Sequence, residues 1–448
     1  MTLTFKGGLF LDEKKNTADK TIEKFPFVNE YKLPLCQHTG ERCVPVVKAG
    51  DRVLVAQKIA HDNGLVAANI HSPVSGVVSE VVDLDIGGYI AVKNDELYEK
   101  SPDAVPFGEK SRKTLDDLTT DDLIAVVREA GICGMSGAGV PTWKKLSMAV
   151  GNIRRIIVNC IECEPYLTVN HRLLAEDFKS VIGGLKILLF AFKIKNANIA
   201  ISDRDTKLVK KLKKQLIGDE ISLKVLQAKY PQGDERQLIY AITAREVPVG
   251  KSGLDLGVLT LNAQTVSEIY NAFVFGMPSI YRNLTVDGDL IKRPMNLCVP
   301  IGTPTDKVIE YCGLKKDVTS IKVIHGGIMM GNTVDSIDAP IIKTTTGVLV
   351  FEADSDPRTE KKSIFDKSTA CIRCSRCVDA CPMRLIPSDF INCSEKNLIK
   401  CGIDHCVLCG LCQYVCPTNV PLMEYIRKAK NVCCDGDDNE GGRKTEHE

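Results

Sequence analysis

Two cysteine motifs near the end of the chain constrain its fold more than any other feature. The first reads CIRCSRCVDACP and starts at Cys371, and the second reads CVLCGLCQYVCP and starts at Cys406. In each motif three cysteines are separated by two residues, a fourth follows after three residues, and a proline comes next. The N-terminus, MTLTFKGGLF, has no basic region followed by an apolar one and so predicts no secretory signal. Clustered cysteines in a chain without such a signal indicate metal ligation in a reducing compartment.

The spacing C-x2-C-x2-C-x3-C-P is that of bacterial ferredoxins, in which three close thiolates bind one 4Fe-4S cluster and the fourth binds its neighbour. The alternative is a zinc ribbon built from C-x2-C pairs. Zinc needs four ligands per site, so a zinc ribbon does not account for the third evenly spaced cysteine and the following proline, which both motifs contain. We therefore predict two clusters, one held by Cys371, Cys374, Cys377 and Cys416 and the other by Cys406, Cys409, Cys412 and Cys381. Two such clusters form a relay for single electrons, so the chain should contain, or meet, a group that handles electron pairs.

Four other cysteines lie close to these motifs. Cys393 and Cys401 are in the connector between them, where a buried or solvated thiol is the simpler interpretation. Cys433 and Cys434 begin a polar, glycine-containing segment, CCDGDDNEGGRKTEHE, that predicts disorder.

Length and charge exclude several functions. A chain of 448 residues predicts roughly three or four domains. The formal net charge of +1 gives no reason to expect a nucleic-acid partner. The most apolar run, VIGGLKILLFAFK, is too short to cross a bilayer and contains Lys186 and Lys193. We expect a cytoplasmic protein without direct membrane insertion, either free or held on the cytoplasmic face of the cell membrane by a partner.

The first hundred residues have a β-rich pattern. Short alternating stretches such as PVVKAGDRVLVAQKIA and ANIHSPVSGVVSEVV are separated by turn signals at Gly50-Asp51 and Ser75-Gly76. The two halves resemble the barrel-sandwich hybrid of biotinyl and lipoyl carriers. No lysine occupies the hairpin tip where a prosthetic group would be attached, so we predict a structural or docking module.

From about Leu115 to Leu261 the pattern alternates between helices and apolar strands. LDDLTTDDLIAVVREAG, DFKSVIGGLKILLFAFK and TKLVKKLKKQL have helical periodicity, whereas RRIIVNC and NANIAIS read as buried strands. This alternation predicts an α/β domain with a largely parallel sheet. Ligands in such folds bind at the loops that leave the strand ends.

One loop in this region, GICGMSGAGVPTWKK, is unusually rich in glycine. Gly131, Gly134, Gly137 and Gly139 permit positive φ and close approach of backbone N–H groups to an anion, and a helix starting near Pro141 adds its positive end. The loop is neither a Walker A sequence nor a regular G-x-G-x-x-G. On its own it fits either a phosphate-bearing cofactor or a tight turn into a helix.

The glycine loop GICGMSGAGVPTWKK is similar to the flavin-binding loop of the NADH-oxidising subunit of respiratory complex I and, more closely, to that of the C subunit of the Rnf ion-translocating ferredoxin:NAD oxidoreductase. Further segments resemble the Rnf subunit in the same order, and with the loop they cover almost the whole chain: FKGGLF, LPLCQHTGERCVPVVKAGDRV, VNCIECEPYLTVNHRLL, YPQGDERQLIYAITAREVPVG and LNAQTVSEIY. VDGDLIKRPMNLCVPIGTP and IHGGIMMG then resemble the soluble-ligand-binding β-grasp (SLBB) segment of the same family, and the two ferredoxin motifs follow.

The resemblance implies a multidomain α/β and α+β fold. Its parts are an N-terminal β barrel-sandwich-like module (1–105), an α/β FMN/NAD-binding domain (115–270), an SLBB-like β-grasp domain (280–352), an α-helical ferredoxin-type domain with two 4Fe-4S clusters (362–430) and a disordered polar tail (431–448). The implied cofactors are FMN, NAD(H) and the two clusters. No side chain is implied as a nucleophile or general acid, because the protein positions the cofactors and tunes their potentials.

The resemblance also implies binding residues for the flavin. The phosphate would be contacted by Gly134, Gly137, Ala138, Gly139 and Lys144. The isoalloxazine and nicotinamide region would be contacted by Asn159, Glu162 and Glu164, and the far side of the flavin by Asn262 and Thr265. Backbone amides and a lysine suit a phosphate, while amide and acidic side chains suit ribose hydroxyls and ring edges.

Two positions depart from the family pattern. Ser136 replaces a glycine, and Val140 replaces a phenylalanine whose flat face would stack on a dinucleotide. The implied function is electron transfer between NAD(H) and ferredoxin-type carriers within a membrane redox complex. The departures keep open a soluble carrier that delivers electrons to a dedicated reductase, such as the protein associated with proline reductase. A scaffold without flavin is a third interpretation, which the retained polar residues oppose.

Overall fold

The protein is described by a computed structural model that covers residues 3–137, 139–216, 220–315, 320–353, 370–391, 393 and 397–437, with backbone only for 431–437. Ala138, residues 362–369 of the predicted ferredoxin-type domain and residues 438–448 of the predicted tail lie outside the described residues.

A leader formed by residues 3–24 contacts three other parts of the molecule. Its attachments are the parallel bridge of Leu3 to Leu226, the hydrogen bond from Gly8 N to Ala380 O, and the parallel pairing of strand β1 (Ile22–Lys24) with Met295–Pro300. The sequence prediction included these residues in the N-terminal module. The structure adds that their backbone groups pair with strands and turns that come much later in the chain.

The N-terminal module consists of two small antiparallel sheets that face one another. Its strands are β2 (Glu30–Pro34), β3 (Val44–Pro45), β4 (Arg52–Val53), β5 (Lys58–His61), β6 (Ile70–His71), β7 (Gly76–Val82) and β8 (Tyr89–Asn94). One sheet has the order β2-β8-β7-β4 and the other β3-β5-β6. Tyr31, Leu33, Ile59 and Ile90, all fully buried, meet between them. This arrangement follows from the alternating apolar residues of the short strands.

The second domain contains a four-stranded parallel sheet flanked by helices. Its elements are α1 (Phe107–Ser111), α2 (Thr120–Glu129), α3 (Thr142–Ala149), β9 (Arg155–Asn159), α4 (Val169–Glu176), α5 (Phe178–Phe192), β10 (Ala197–Ser202), α6 (Thr206–Gln215), β11 (Ile221–Leu226), α7 (Glu235–Thr243), β12 (Val258–Asn262) and α8 (Ala263–Phe275). The strand order is β11-β10-β9-β12. The predicted helices and buried strands of this region are confirmed.

Helices α5 and α8 pack closely against one another on this sheet. A Cβ added to Gly184 would lie 2.0 Å from the carbonyl oxygen of Val266, so only glycine permits this approach. Helix α8 begins at Ala263, directly after the last residue of β12, so its N-terminus lies at the carboxyl end of that strand. That end of the sheet is where ligands of parallel α/β folds bind.

The third domain is a mixed six-stranded sheet with one helix. Its elements are β13 (Tyr281–Asp287), β14 (Met295–Pro300), α9 (Thr305–Cys312), β15 (Ile321–His325), β16 (Asn332–Thr333) and β17 (Gly347–Glu352). The strand order is β1-β14-β13-β17-β15-β16, so the leader supplies one edge strand. Leu284, Leu297 and Val350 belong to its buried core.

The C-terminal domain contains short helices around the cysteine motifs. They are α10 (Arg376–Ala380), α11 (Leu411–Tyr414) and α12 (Leu422–Asp437). Helix α12 continues seven residues into the predicted disordered tail, which differs from the expectation for residues 431–437. Its apolar side, including Leu422 and Ile426, packs on the cysteine loops, and this tertiary contact stabilises the part of the helix from which the extension continues. Within the described ranges, no helix is long and apolar enough to cross a membrane.

Candidate functional site

Two asparagines end adjacent strands of the parallel sheet. Asn159 ends β9 and Asn262 ends β12, and they are partners in the strand register. The Asn159 side chain donates to Gly233 O (2.8 Å) and accepts from Ile161 N (3.1 Å). Asn262 caps helix α8 by accepting from Gln264 N (2.9 Å). The structure therefore brings these two predicted residues together at the ligand-binding end of the sheet.

The glycine loop lies beside these strand ends and is fixed at both of its edges. Gly134 N donates to Val140 O (2.8 Å), and Met135 N donates to the hydroxyl of Thr265 (3.1 Å), which is fully buried at the start of α8. Gly139, with φ of 67°, packs so closely that an added Cβ would lie 2.4 Å from Thr344. Thr265 thus anchors the loop to the helix that follows Asn262.

The middle of the glycine loop is open. Gly137 has φ of 66°, is exposed, and an added Cβ there would meet no atom of the described residues within 4 Å. A positive-φ glycine at an open tip can turn its backbone toward a ligand, and helix α3 begins five residues later with its positive end. This open space next to a fixed frame fits the phosphate end of a flavin nucleotide.

The sequence prediction assigns Lys144 to the phosphate and does not include its neighbour Lys145. The Lys145 ammonium donates to Thr260 O of β12 (2.8 Å) and pairs with Glu235 at the start of α7 (3.2 Å). Within the described part of the chain, Lys144 has no recorded side-chain hydrogen bond or ion pair. Lys145 is directed toward β12, and because neighbouring helical residues differ by about 100° in direction, Lys144 extends from a different side of α3. The helix start at Thr142 is the signal that would have indicated this.

The segment after β9 holds both predicted glutamates. Glu162 accepts from Asn170 N (2.9 Å) and His171 N (3.2 Å) in the first turn of α4. Glu164 accepts from Met329 N (2.9 Å) and Met330 N (3.0 Å) of the third domain. In this structure both carboxylates therefore bind backbone N–H groups, which fix the segment beside the flavin site.

Lys15 of the leader supports the same segment from the other side. Its ammonium donates to the carbonyl oxygens of Glu162 (2.9 Å), Glu164 (2.6 Å) and Leu167 (2.6 Å). Burial lowers the pKa of Lys15, and its charge is compensated by these oxygens and the nearby acidic groups. The leader is thereby part of the site rather than of the N-terminal module alone.

Asp234 is a titratable group at the same edge that sequence reasoning did not select. It caps α7 by accepting from Arg236 N (3.0 Å) and Gln237 N (3.3 Å). Desolvation nevertheless raises the pKa of Asp234 to about 6, which outweighs these hydrogen bonds. A carboxyl group with such a pKa, adjacent to Gly233 and the Asn159 amide, can exchange a proton near neutral pH.

A set of buried charged side chains lies beneath the glycine loop. Arg282 donates to Met135 O (2.7 Å) and Thr345 O (2.7 Å), and its Nη1 has no hydrogen-bond partner among the described residues. Lys343 donates to Gly131 O (2.7 Å) and Asn69 O (2.5 Å). These two buried cations thus bind the carbonyl oxygens of Met135 and Gly131 in the first half of the glycine loop. Through them the loop is connected to the third domain and to the N-terminal module.

The same set includes Glu268 of α8, and its charge should make the stability of the protein depend on pH. Desolvation raises the pKa of Glu268 to about 7, against the opposing influence of Arg282 and Lys343. The folded protein therefore binds a proton that the unfolded chain releases near pH 4.5, so the free energy of unfolding should fall as pH rises from about 5 to 8. This sign follows because the folded state holds more protons in that window.

The variant Glu268→Gln removes this titration. Between pH 5 and pH 8, we expect the free energy of unfolding of the variant to rise relative to that of the wild type by about 2 kcal/mol. This figure is smaller than the full value of about 1.4 kcal/mol per pKa unit would give. Thermal unfolding midpoints of both proteins at four pH values provide the measurement. A constant difference between the two proteins across the window would contradict the expectation, and Glu310→Gln on the exposed surface of α9 is the control.

Four cysteines of the C-terminal domain line one cavity. Cys381 of the first motif and Cys406, Cys409 and Cys412 of the second surround it, together with Met423 and other apolar side chains. Burial raises the pKa of the Cys406, Cys409 and Cys412 thiols, so thiolates there need a cationic partner such as iron. The cavity contains the ligand set predicted for the second cluster, and we refer to it as the inner cluster site.

The cysteines predicted for the other cluster are more exposed. Cys371 and Cys374 lie on the surface, Cys377 is half-buried, and Cys416 accepts from Val420 N at 3.4 Å. We refer to this set as the outer cluster site. Within the described residues, no three His, Cys, Asp or Glu side chains are close enough to hold a single metal ion.

The inner cluster site is joined to the flavin site by one buried tyrosine. Tyr230 lies just before Gly233 and Asp234, and its hydroxyl donates to Cys409 O (2.6 Å). Gln237 of α7 contacts Met383 Sδ (3.0 Å), which lines the same cavity. A contiguous path of packed residues therefore leads from the strand ends to the inner cysteines.

Comparisons with known families agree with this organisation. Residues 3–90 match the RnfC barrel sandwich hybrid domain, residues 127–271 match the Nuo51 FMN-binding domain, and residues 370–420 match the 4Fe-4S dicluster domain. An FMN-binding domain joined to a dicluster domain defines the class of protein: an oxidoreductase subunit that transfers electrons.

Curated relatives identify the family. The chain is 35% identical over 403 residues, 89% of this chain and 86% of the relative, to the C subunit of the proton-translocating ferredoxin:NAD(+) oxidoreductase complex of Clostridium ljungdahlii. It is 35% identical over 404 residues, 88% of each chain, to the Na(+)-translocating counterpart of Acetobacterium woodii. The chain belongs to the RnfC family. A crystal structure of an NAD+-reducing [NiFe]-hydrogenase in the H2-reduced state shares the fold, with 15% identity, a TM-score of 0.50, and coverage of 77% of this chain and 70% of that one.

Proposed function

We propose that this chain couples NAD(H) to ferredoxin-level single-electron carriers as the C subunit of an Rnf-type ion-translocating complex. The observation that carries the proposal is the contact of Tyr230 with Cys409, because it joins the flavin site and the inner cluster site by one short path. When bound, FMN would exchange electron pairs with a nicotinamide and single electrons with iron–sulfur clusters. The chain's own residues would orient these groups and keep them at fixed separation.

In this proposal the glycine loop and its neighbours bind FMN. Gly134, Gly137 and Gly139 direct backbone toward the phosphate, together with Ala138, and Lys145 is added to the predicted Lys144 as a cation held beside β12. Asn159 and Asn262 contact the ring system from the strand ends, and Thr265 fixes the loop. Glu162 and Glu164 are assigned to the nicotinamide side, where they hold the segment that follows β9.

The outer cluster site would be the port for a one-electron partner, since Cys371 and Cys374 reach the surface. We assign the third domain to the SLBB-like β-grasp class on the basis of its mixed sheet with one helix, α9. As a member of a larger complex, the chain would contact other subunits on the cytoplasmic face of the membrane. A ferredoxin-type carrier is the proposed partner for the clusters.

A second candidate function is a soluble carrier that delivers electrons to a dedicated reductase. Val140 favours it, because this side chain is 39% exposed beside the open loop and offers no aromatic face to a dinucleotide. We expect Val140→Phe to bind NADH more tightly than the wild type, whichever of the two functions is correct. This variant therefore does not separate the Rnf-type function from the soluble carrier.

The direct test is anaerobic titration of the reconstituted holoprotein with NADH while the flavin and cluster absorbances are recorded. Reduction of both cofactors supports the Rnf-type function. Flavin that stays oxidised with NADH but is reduced by a low-potential one-electron donor supports the soluble reductase partner instead.

Substitution of Gly137 tests the flavin site directly. Alanine there should cost about 1 kcal/mol of backbone strain and should raise the FMN dissociation constant at least about tenfold, because its Cβ occupies the open space at the loop tip. Gly151→Ala is the matched control: it has φ of 74° and an equally open position, but it lies beyond α3 and outside the site. Fluorescence titration with FMN measures both variants. Equal affinities in the two would argue against phosphate binding at Gly137.

The two adjacent lysines provide a second matched pair. Lys145→Met should weaken FMN binding by roughly tenfold, because a charge-assisted contact to phosphate contributes about 1.5 kcal/mol or more. Lys144→Met should change it less than about twofold. The same fluorescence titration, repeated at higher ionic strength, should reduce the difference between wild type and Lys145→Met. The opposite ranking would show that Lys144, not Lys145, makes the stronger contact with the phosphate.

A further inference from the structure

A pair of cysteines outside the cluster motifs lies within contact distance. The Sγ atoms of Cys393 and Cys401 are 3.1 Å apart, and both side chains are half-buried in the C-terminal domain. Two 4Fe-4S clusters need eight thiolates, and the two motifs already supply eight. This pair is therefore surplus to cluster ligation, and its proximity requires a different explanation.

The connector between the motifs holds the pair in place. Cys401 N donates to Asn397 O (2.9 Å), and Gly402 N donates to Ile399 O (2.9 Å), so the chain makes a compact turn just before the second motif. Leu398 within this turn is 3% exposed and packs in the same core as Phe390 and Ile426. The turn is thus anchored to the domain core, and only a small approach of the two sulfur atoms separates them from a covalent bond.

Access to the pair differs from access to the inner cluster site. In the turn that precedes Cys401, Ile399 is 64% exposed and Lys400 is also exposed. A small oxidant can therefore reach the half-buried thiols from the surface. The inner cysteines Cys409 and Cys412 are buried and would be reached later.

We propose that Cys393 and Cys401 form a reversible disulfide when the protein meets a two-electron oxidant such as hydrogen peroxide. One thiol is oxidised by peroxide to a sulfenic acid with release of one water, and the other thiol attacks that sulfur and releases a second water. The peroxide accepts the two electrons. A dithiol reductant reverses the bond by thiol–disulfide exchange, with one reductant disulfide formed for each protein disulfide broken.

The bond would close the connector between the two cluster motifs. It would restrict the connector segment that leads into the second motif, and so slow the loss of iron when oxidant reaches the clusters. This site goes beyond the proposed function, because it depends on neither NAD(H) nor the identity of the electron-transfer partner.

The experiment uses the reconstituted full-length holoprotein, treated anaerobically with one equivalent of hydrogen peroxide, alkylated, digested and analysed by mass spectrometry. The expected product is a cross-linked peptide containing Cys393 and Cys401, about 2 Da lighter than the two thiol peptides together, that dithiol treatment returns to alkylatable thiols. Recovery of both cysteines as alkylated thiols, or as separate higher oxidation products, would overturn the proposal.

Variants extend the test to the clusters. Cys401→Ser and Cys393→Ser should each release iron under peroxide at least about threefold faster than wild type. Cys36→Ser, which removes an exposed thiol of the N-terminal module, is the matched control and should behave as wild type. Iron content and absorbance before treatment verify that each variant has folded. Equal rates of iron loss in all four proteins would contradict the role of the bond.

Discussion

Replacement of Cys412 by serine is expected to stop electron transfer beyond the flavin. Cys412 is 8% exposed and lines the inner cluster cavity with Cys381 and Cys409, so its loss removes one of the four proposed ligands from a site where water cannot easily substitute. We expect reduction of a one-electron acceptor by NADH to fall at least about 100-fold. Reduction of the flavin itself by NADH should remain, because the glycine loop and strand ends are unchanged.

Cys374→Ser is the matched comparison, since Cys374 lies at the exposed outer cluster site. This variant should lose the outer cluster but keep an inner cluster that NADH still reduces. Electron paramagnetic resonance after addition of NADH distinguishes the two variants by which cluster signal survives. If Cys412→Ser kept a cluster that NADH reduces and Cys374→Ser did not, the outer site would be next to the flavin and the assigned order would be wrong.

Replacement of Lys343 by methionine is expected to have the second largest effect. The variant leaves the carbonyl oxygens of Gly131 and Asn69 without their buried donor and removes a cation that compensates Glu268. A loss of about 3 to 5 kcal/mol in the stability of this region is expected. The glycine loop should also lose its fixed position, so FMN affinity should fall at least about tenfold.

Thermal unfolding and FMN titration of Lys343→Met measure the two effects separately. Lys58→Met is the control: its ammonium forms an ion pair with Glu129 across the same domain boundary but on the surface, and such pairs contribute less than about 1 kcal/mol. Cluster content should be unchanged in both variants. If Lys343→Met bound FMN as the wild type does, the buried cation would stabilise the domain boundary without positioning the loop.

The sequence was most informative where local pattern and structure coincide. The alternation of helices and apolar strands between α2 and α8 predicted the parallel sheet, and the ends of β9 and β12 then placed Asn159 and Asn262 together. The spacing of the ferredoxin motifs assigned Cys381 to the second cluster, and the structure places Cys381 in one cavity with Cys406, Cys409 and Cys412. Periodicity and motif spacing are properties of contiguous residues, which explains this agreement.

Contacts between distant residues were not predictable in the same way. A one-residue difference in helix phase separates Lys144 from Lys145, and only the start of α3 determines which one faces the strand ends. The partners of Lys343 and Arg282 come from three domains, so no local pattern indicates that these cations hold the glycine loop. The proximity of Cys393 and Cys401 likewise depends on how Leu398 packs in the core.

The leader has a consequence for how the protein is made. Asn16 hydrogen-bonds to Asp287 across 271 residues of chain, and Gly8 pairs with Ala380 near the first cysteine motif. During synthesis Gly8 must therefore wait for its partner until the C-terminal domain has emerged, whereas Leu3 and β1 can pair earlier, with β11 and β14. The last step of folding would be the closure of this N-terminal strand over domains that are already formed.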